Sequence, residues 1–220
     1  MSKNKMSRKD FLSLSAIAGV STLVGSSTLM TSCGEKGPVY TPLKQPGEYY
    51  VPVLNDKADD GKELKAGVIG CGGRGSGAVM NLLAAANGIK VVALGDTFAD
   101  RLNNLKGELA KQGQVVADDK CFVGFDAYKK VIDSGVDMVI IATPPAFRPQ
   151  HFQYATEKGV HSFLEKPIAV DPKGYRTIMA TAKQAQAKNL SVVCGTQRHH
   201  QRPYVEAFQK IQEGYIGEIT

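Results

Sequence analysis

A chain of 220 residues has room for one ordinary domain with extensions, or for one and a half domains. Its 43% hydrophobic and 22% charged content is that of a globular protein and excludes wholesale disorder. Half of the formal charge of +6 sits in the first 32 residues, where Lys3, Lys5, Arg8 and Lys9 face only Asp10, so the remainder has no basic stripe for nucleic acid.

The N-terminus is basic, then runs from Phe11 to Met30 without charge and ends on Thr31-Ser32-Cys33, the layout of a cleaved export signal. By length alone the run also fits a transmembrane helix, but Ser and Gly dilute it and small residues precede the cysteine. Ser7-Arg8-Lys9-Asp10-Phe11-Leu12 resembles the bacterial twin-arginine motif, with Lys9 in place of the second arginine, which leaves export in a folded or an unfolded state open. Leu29-Met30-Thr31-Ser32-Cys33 resembles a bacterial lipobox in which Met30 departs from the pattern; a lipidated Cys33 and an unlipidated one are both open. The expectation is an exported, periplasmic or lipid-anchored protein that meets the membrane only through its signal or lipid. With Cys33 lipidated, Cys71, Cys121 and Cys194 are odd in number, which excludes a full disulfide framework, and each reads as a small buried hydrophobe. No metal site is expected, because there is no Cys-x-x-Cys or spaced Cys/His set and the adjacent His199-His200 is a poor chelate.

Residues 34–62, rich in Pro, Gly, Lys and Asp, read as a tether. This gives a plan of export signal (1–32), tether (33–63), a dinucleotide-binding domain (64–195) and a crossover into a second domain (196–220).

From Leu64 onward strand and helix patterns alternate, which predicts an α/β fold with a doubly wound parallel sheet. Leu64 to Ile69 is the first strand and Gly75 to Ala86 a helix. Between them Gly70, Gly72 and Gly75 fit the GxGxxG spacing, which serves a tight turn, backbone approach to a pyrophosphate and close helix packing. Ile89 to Leu94 is the second strand, and Asp96 follows Gly75 at the distance where a carboxylate meets an adenosine ribose. Phe98 to Lys111 is a helix, Lys120 to Val123 a short strand, and Asp126 to Ser134 a helix that Asp126 is placed to cap. Val136 to Ala142 is an apolar run expected of a strand buried on both faces, stopped by Thr143-Pro144-Pro145. Gln150 to Lys158 is a helix, Val160 to Leu164 a strand ending in Glu165-Lys166-Pro167, Pro172 to Lys188 a helix and Leu190 to Cys194 the sixth strand. In such a sheet the carboxyl ends of the strands line the ligand crevice. The glycine turn, Asp96, Thr143-Pro144, Glu165-Lys166-Pro167 and Gly195-Thr196-Gln197-Arg198 therefore form one candidate site.

Together these residues resemble the Gfo/Idh/MocA family of nicotinamide-dependent sugar and polyol oxidoreductases, from about Leu64 to the chain end. The Glu165-Lys166-Pro167 triplet and Ala142-Thr143-Pro144-Pro145 carry most of the likeness. The resemblance implies that Gly70, Gly72, Gly73, Arg74 and Gly75 hold the pyrophosphate, Asp96 meets the ribose, and Thr143 and Pro144 line the nicotinamide side. It implies Lys166 as the catalytic residue beside the reacting carbon, with Glu165 positioning it or touching the nicotinamide ribose. Many relatives carry a His shortly after the Thr-Pro pair, where this chain has Ala146, Phe147 and Arg148. Arg198, His200 and Tyr204 fall where relatives cross between domains, and either bind substrate hydroxyls or form a solvated turn.

The implied cofactor is NAD or NADP; NAD is favoured because Asp96 repels a 2′-phosphate, although Arg74 and Arg101 offset that repulsion. The implied partners are a small carbohydrate and further copies of the chain, joined through a second domain of which Gly214 to Thr220 resembles the beginning. The resemblance leaves three readings: a sugar oxidoreductase with tightly held cofactor, a redox-neutral glycosidase or lyase resembling glycoside hydrolase family 109, and a non-catalytic nucleotide-binding module. On either enzymatic reading a chain stopping at Thr220 is expected to hold the cofactor half of an enzyme, inactive alone.

Overall fold

The computed structural model describes residues 61–217; the export signal, Cys33, nearly all of the tether and residues 218–220 lie outside the described residues. The chain divides into two compact units, and the one formed by residues 46–209 holds the sheet.

Six strands make a single all-parallel sheet: β1 (Leu64–Ile69), β2 (Ile89–Asp96), β3 (Cys121–Val123), β4 (Met138–Ile141), β5 (His161–Leu164) and β6 (Val192–Cys194). Their order is β3-β2-β1-β4-β5-β6, so the winding reverses between β1 and β4, the switch point where such sheets bind ligands. The helices are α1 (Gly73–Ala85), α2 (Ala99–Lys111), α3 (Ala127–Ile132), α4 (Arg148–Glu157), α5 (Pro172–Ala187) and α6 (Arg202–Gln212).

The period-two rule of strands divides the core into two layers. In β1, Val68 faces one layer and Ile69 the other; in β4, Ile140 opposes Val139 and Ile141. The layer of Val68 and Ile140 is filled by Ala78 and Val79 of α1 and by Leu102, Leu105 and Leu109 of α2. Each fully buried leucine there contributes roughly 1.5–3 kcal/mol relative to exposure. The opposite layer takes Val131 and Ile132 of α3, Phe152 and Ala155 of α4, and Ile178 and Ala185 of α5.

Several boundaries differ from the sequence reading. β2 continues through Gly95 and Asp96 because these pair with Phe122 and Val123 of β3. β6 begins only at Val192, since the Ser191 N–H donates to Nδ1 of His161 at 2.8 Å. α4 begins at Arg148 and α1 at Gly73, each two residues earlier than read; in α4, Pro149 sits in the first turn, where a missing N–H is harmless. Asp126 holds the capping position of α3 but makes no side-chain cap bond; its carboxylate lies 3.5 Å from Lys130 Nζ. A cap does form at α5, where Asp171 accepts the Gly174 N–H at 2.6 Å ahead of Pro172.

Candidate active site

The turn after β1 is shaped by what a side chain would strike. Gly70 has φ +94°, in the left-handed region, and a Cβ there would stand 2.8 Å from the backbone of Ala142 and Thr143. A Cβ on Gly75 would come within 1.8 Å of the Gly70 carbonyl oxygen, so α1 can pack this closely on β1 only with glycine there. Gly72 occupies the N-cap of α1, with no side-chain cap and no acidic residue in the first turn. The N–H groups of Gly72, Gly73, Arg74 and Gly75 are therefore the four that the helix itself leaves unpaired, and the helix dipole adds positive potential. Beyond Gly73 a Cβ would meet nothing within 4 Å. The arrangement is an open anion cradle.

Asp96, 8% exposed, fastens this turn to the end of β2. Its Oδ2 accepts the Cys71 N–H at 2.6 Å and its Oδ1 the Phe98 N–H at 2.9 Å. A carboxylate oxygen has a second lone pair, so these bonds leave acceptor capacity for a ribose. Burial, with the Asp96 charge second, pushes the Cys71 thiol up to about 12, so it stays protonated and inert. Cys121 and Cys194 are likewise free thiols raised chiefly by desolvation.

A cavity of about 510 Å³ opens at the β1/β4 switch point. It brings together Gly70, Gly72, Gly73, Arg74, Gly75, Asp96, Thr143 and Pro144. Residues the sequence reading did not single out as site residues also line it: Phe98, Phe125, Tyr128, Phe147, Arg148 and His151. Phe98, Phe125 and Phe147 are exposed, the last two with ring centroids 6.3 Å apart, and Arg101 lies over the Phe98 ring at 4.9 Å. Exposed aromatics after the ends of β2, β3 and β4 were the available signal for this wall.

His151 stacks on Tyr128 with centroids 4.1 Å apart, and its Nδ1 lies 3.2 Å from the Thr143 hydroxyl. Burial lowers its pKa to about 4, so the ring is neutral near pH 7.

Glu165 and Lys166 are placed differently from one another. Glu165 is 1% exposed, and Arg74 Nη2 meets its Oε1 at 2.5 Å. Arg74 thus ties the first turn of α1 to the end of β5, and Glu165 faces a guanidinium rather than open space. Lys166 follows on an exposed loop, joined to Pro167 by a cis peptide bond, and is not among the residues lining the cavity. His200 lines a second cavity of about 310 Å³ with Arg74, Asn81, Thr196 and Gln197. Arg198 instead stacks over Tyr204 at 5.3 Å. The three residues read as substrate contacts are thus not gathered in the cavity of the glycine turn. Among the described residues no group of three or more His, Cys, Asp or Glu could hold a metal ion.

A parallel sheet in this order, with an uncapped glycine turn opening on a cavity at its switch point, defines a dinucleotide-binding α/β domain. The chain belongs to the Gfo/Idh/MocA family, an oxidoreductase family with an NAD-binding Rossmann fold, whose model matches residues 64–194. It is 27% identical over 158 residues to the scyllo-inositol 2-dehydrogenase (NAD(+)) of Bacillus subtilis, covering 71% of this chain and 42% of that protein. A glycosyl hydrolase family 109 protein of Streptomyces coelicolor is 26% identical over 98% of this chain and 45% of its own length. Among solved structures, scyllo-inositol dehydrogenase from Lactobacillus casei with bound NAD(H) and scyllo-inositol superposes with a TM-score of 0.58 at 27% identity, over 71% of this chain and 43% of that one. The chain spans about half the length, or less, of the curated relatives it matches.

A nicotinamide dinucleotide fits the residues present. Gly72 and Gly73 put no Cβ in the way of an approaching pyrophosphate, the first turn of α1 carries no carboxylate, and the cavity continues from it past both Asp96 and Thr143.

Proposed function

We propose that the protein is a nicotinamide-dependent oxidoreductase that acts at a carbinol carbon of a sugar or polyol. The observation that carries this reading is the uncapped N-terminus of α1 opening on the cavity bounded by Asp96 and Thr143, in a chain of this family. The dinucleotide supplies the hydride acceptor when bound. The chain's own part is to hold the pyrophosphate on the N–H groups of residues 72–75, to seat the adenosine against Asp96 and Arg101, and to bring Thr143 and Pro144 to the nicotinamide side. Lys166 moves the hydroxyl proton of the substrate as hydride leaves the same carbon. Glu165 holds Lys166 in place through its own bond to Arg74.

Export imposes a further requirement, since free dinucleotide is scarce outside the cytoplasm. In our reading the cofactor stays bound and is regenerated within each turnover, the protein is carried in the periplasm or on a Cys33 lipid, and copies associate through a further domain. A second reading, redox-neutral cleavage of a glycoside, is favoured by the family 109 match running over 98% of the chain, whereas the inositol dehydrogenase match covers 71%. Oxidation beside a carbon acidifies its proton, so a glycosidic group can be eliminated without the usual carboxylate pair.

The test is turnover by the full-length protein. Reduction of the bound dinucleotide by polyols, read as reduced-nicotinamide absorbance, supports the oxidoreductase, and release of phenol from aryl glycosides without added acceptor supports the glycosidase. Lys166→Ala leaving both activities unchanged would reject catalysis at this site. Mass spectrometry of the purified full-length protein reports a retained dinucleotide and a lipid on Cys33 together, and its finding neither rejects the tight-cofactor and anchoring readings.

A further inference from the structure

The reaction proposed above needs two loops in register: the one after β4 that carries Thr143 and the one after β5 that carries Lys166. A single buried side chain joins them. Arg148, the first residue of α4, is 5% exposed. Its Nε donates to the Thr143 carbonyl at 2.7 Å, and its Nη1 donates to the Glu165 carbonyl at 2.6 Å and to the Pro167 carbonyl. Main-chain groups on both sides of Lys166 are thereby fixed to the backbone of Thr143. One turn along the same helix, His151 meets the Thr143 hydroxyl, so α4 holds Thr143 at its carbonyl and at its side chain.

Glu165 is held at every polar group. Its N–H donates to the Ile141 carbonyl at 3.0 Å, its carbonyl accepts from Arg148, and its carboxylate accepts from Arg74. Lys166 therefore leaves a rigid backbone with an exposed side chain. A guanidinium suits this task because its planar fork presents five donors in fixed directions, whereas an ammonium is a compact point on a flexible stem. Three carbonyl dipoles aimed at one cation also compensate its removal from water.

We propose that Arg148 is a positioning residue for catalysis: it sets where the Lys166 amine stands relative to the Thr143 loop. This rests on the reading of Lys166 given under Proposed function, and the experiment separates the two. Arg148→Lys, Lys166→Ala and the double variant are made in the full-length protein. NADH affinity is read by fluorescence on protein stripped of retained dinucleotide, and kcat and KM are counted per dinucleotide-binding equivalent, so unfolded material drops out.

Arg148→Lys is expected to hold NADH affinity within about threefold and to lose about 100-fold in kcat with KM little changed, the scale of an ångström-level misplacement. In the double variant the loss is expected to equal that of Lys166→Ala alone, since a residue acting through Lys166 has nothing further to misplace. Unchanged kcat in Arg148→Lys, multiplicative losses in the double variant, or loss of NADH binding would each overturn the proposal, the last two by marking Arg148 as a general structural residue. If Lys166→Ala itself leaves kcat unchanged, the reading of Lys166 fails and the role of Arg148 falls with it. If Lys166→Ala is inactive while Arg148→Lys is not, only the role of Arg148 falls.

Discussion

The turn after β1 and the loops after β4 and β5 stand at the same edge of the sheet and are built by opposite means. At the turn the backbone itself is presented: Gly70 sits at φ +94°, a Cβ on Gly75 would fall 1.8 Å from the Gly70 carbonyl oxygen, and Gly72 and Gly73 bring bare backbone to the cavity. At the loops, the backbone is fixed by long side chains reaching in, Arg148 to three carbonyls and Arg74 to the Glu165 carboxylate. Backbone geometry is robust to its surroundings as long as glycine is kept. A site braced by arginines depends on partners far away in sequence, and its failure mode is displacement rather than collapse.

That contrast can be broken first at Gly75. Gly75→Ala drives a methyl into the Gly70 carbonyl, so we expect a loss of about 3 kcal/mol or more in denaturant unfolding together with loss of dinucleotide binding. An unfolding midpoint equal to that of the parent would show that the turn is looser than described.

Arg74→Met should act differently, by stranding the Glu165 carboxylate in a buried place. Breaking a buried pair costs up to about 3–5 kcal/mol, and because the Arg74 side chain is 44% exposed we expect about 1–3 kcal/mol. Adding Glu165→Gln removes the buried charge and should restore part of the loss; additivity of the two changes would mean that the pair does not couple turn and loop.

The third test uses pH. His151 has a pKa of about 4 in the folded protein against 6.5 for the free side chain, so the unfolded chain takes up the proton first on acidification. Its contribution to stability is fully present above about pH 6.5, falls between 6.5 and 4, and levels off below; over that window it amounts to roughly 3 kcal/mol. His151→Gln should flatten the stability profile between those values relative to the parent. Parallel profiles would mean that the ring titrates normally.

Gly73→Ala should do least. A Cβ there meets nothing within 4 Å and the position is helical, so stability should change by less than about 1 kcal/mol. The difference between Gly73→Ala and Gly75→Ala, two residues apart, separates glycine required by packing from glycine that is merely present.

Legibility in the sequence follows the same division. The strand-end positions of the glycine turn, Asp96, Thr143-Pro144 and Glu165-Lys166-Pro167 were readable because each is a short local pattern that stops an apolar run, though of these the Glu165-Lys166-Pro167 triplet does not line the cavity. Arg148 was not, because its partners Glu165 and Pro167 lie 17 and 19 residues away and no local spacing marks a side chain that bonds carbonyls across a sheet edge. His151 was hidden for a similar reason: eight residues from Thr143 on a helix, it has no periodic cue. The Asp126 cap failed because a residue type suited to capping does not fix its rotamer, and Lys130 was within reach. Strand extents missed where pairing decided them, as β3 did for Gly95 and Asp96.

The most direct test is a calorimetric titration of NAD into the protein and its Gly72→Ala variant, each first stripped of retained dinucleotide and returned to its folded state. A Cβ at Gly72 makes only ordinary contact, 3.8 Å from Arg101 Cδ, so the variant should unfold with the parent. The same methyl stands where the backbone meets the pyrophosphate, so binding to one site per chain should weaken by about tenfold or more. Equal affinity in the two proteins, or no binding to the parent, would contradict the claim that this turn is where the dinucleotide is held.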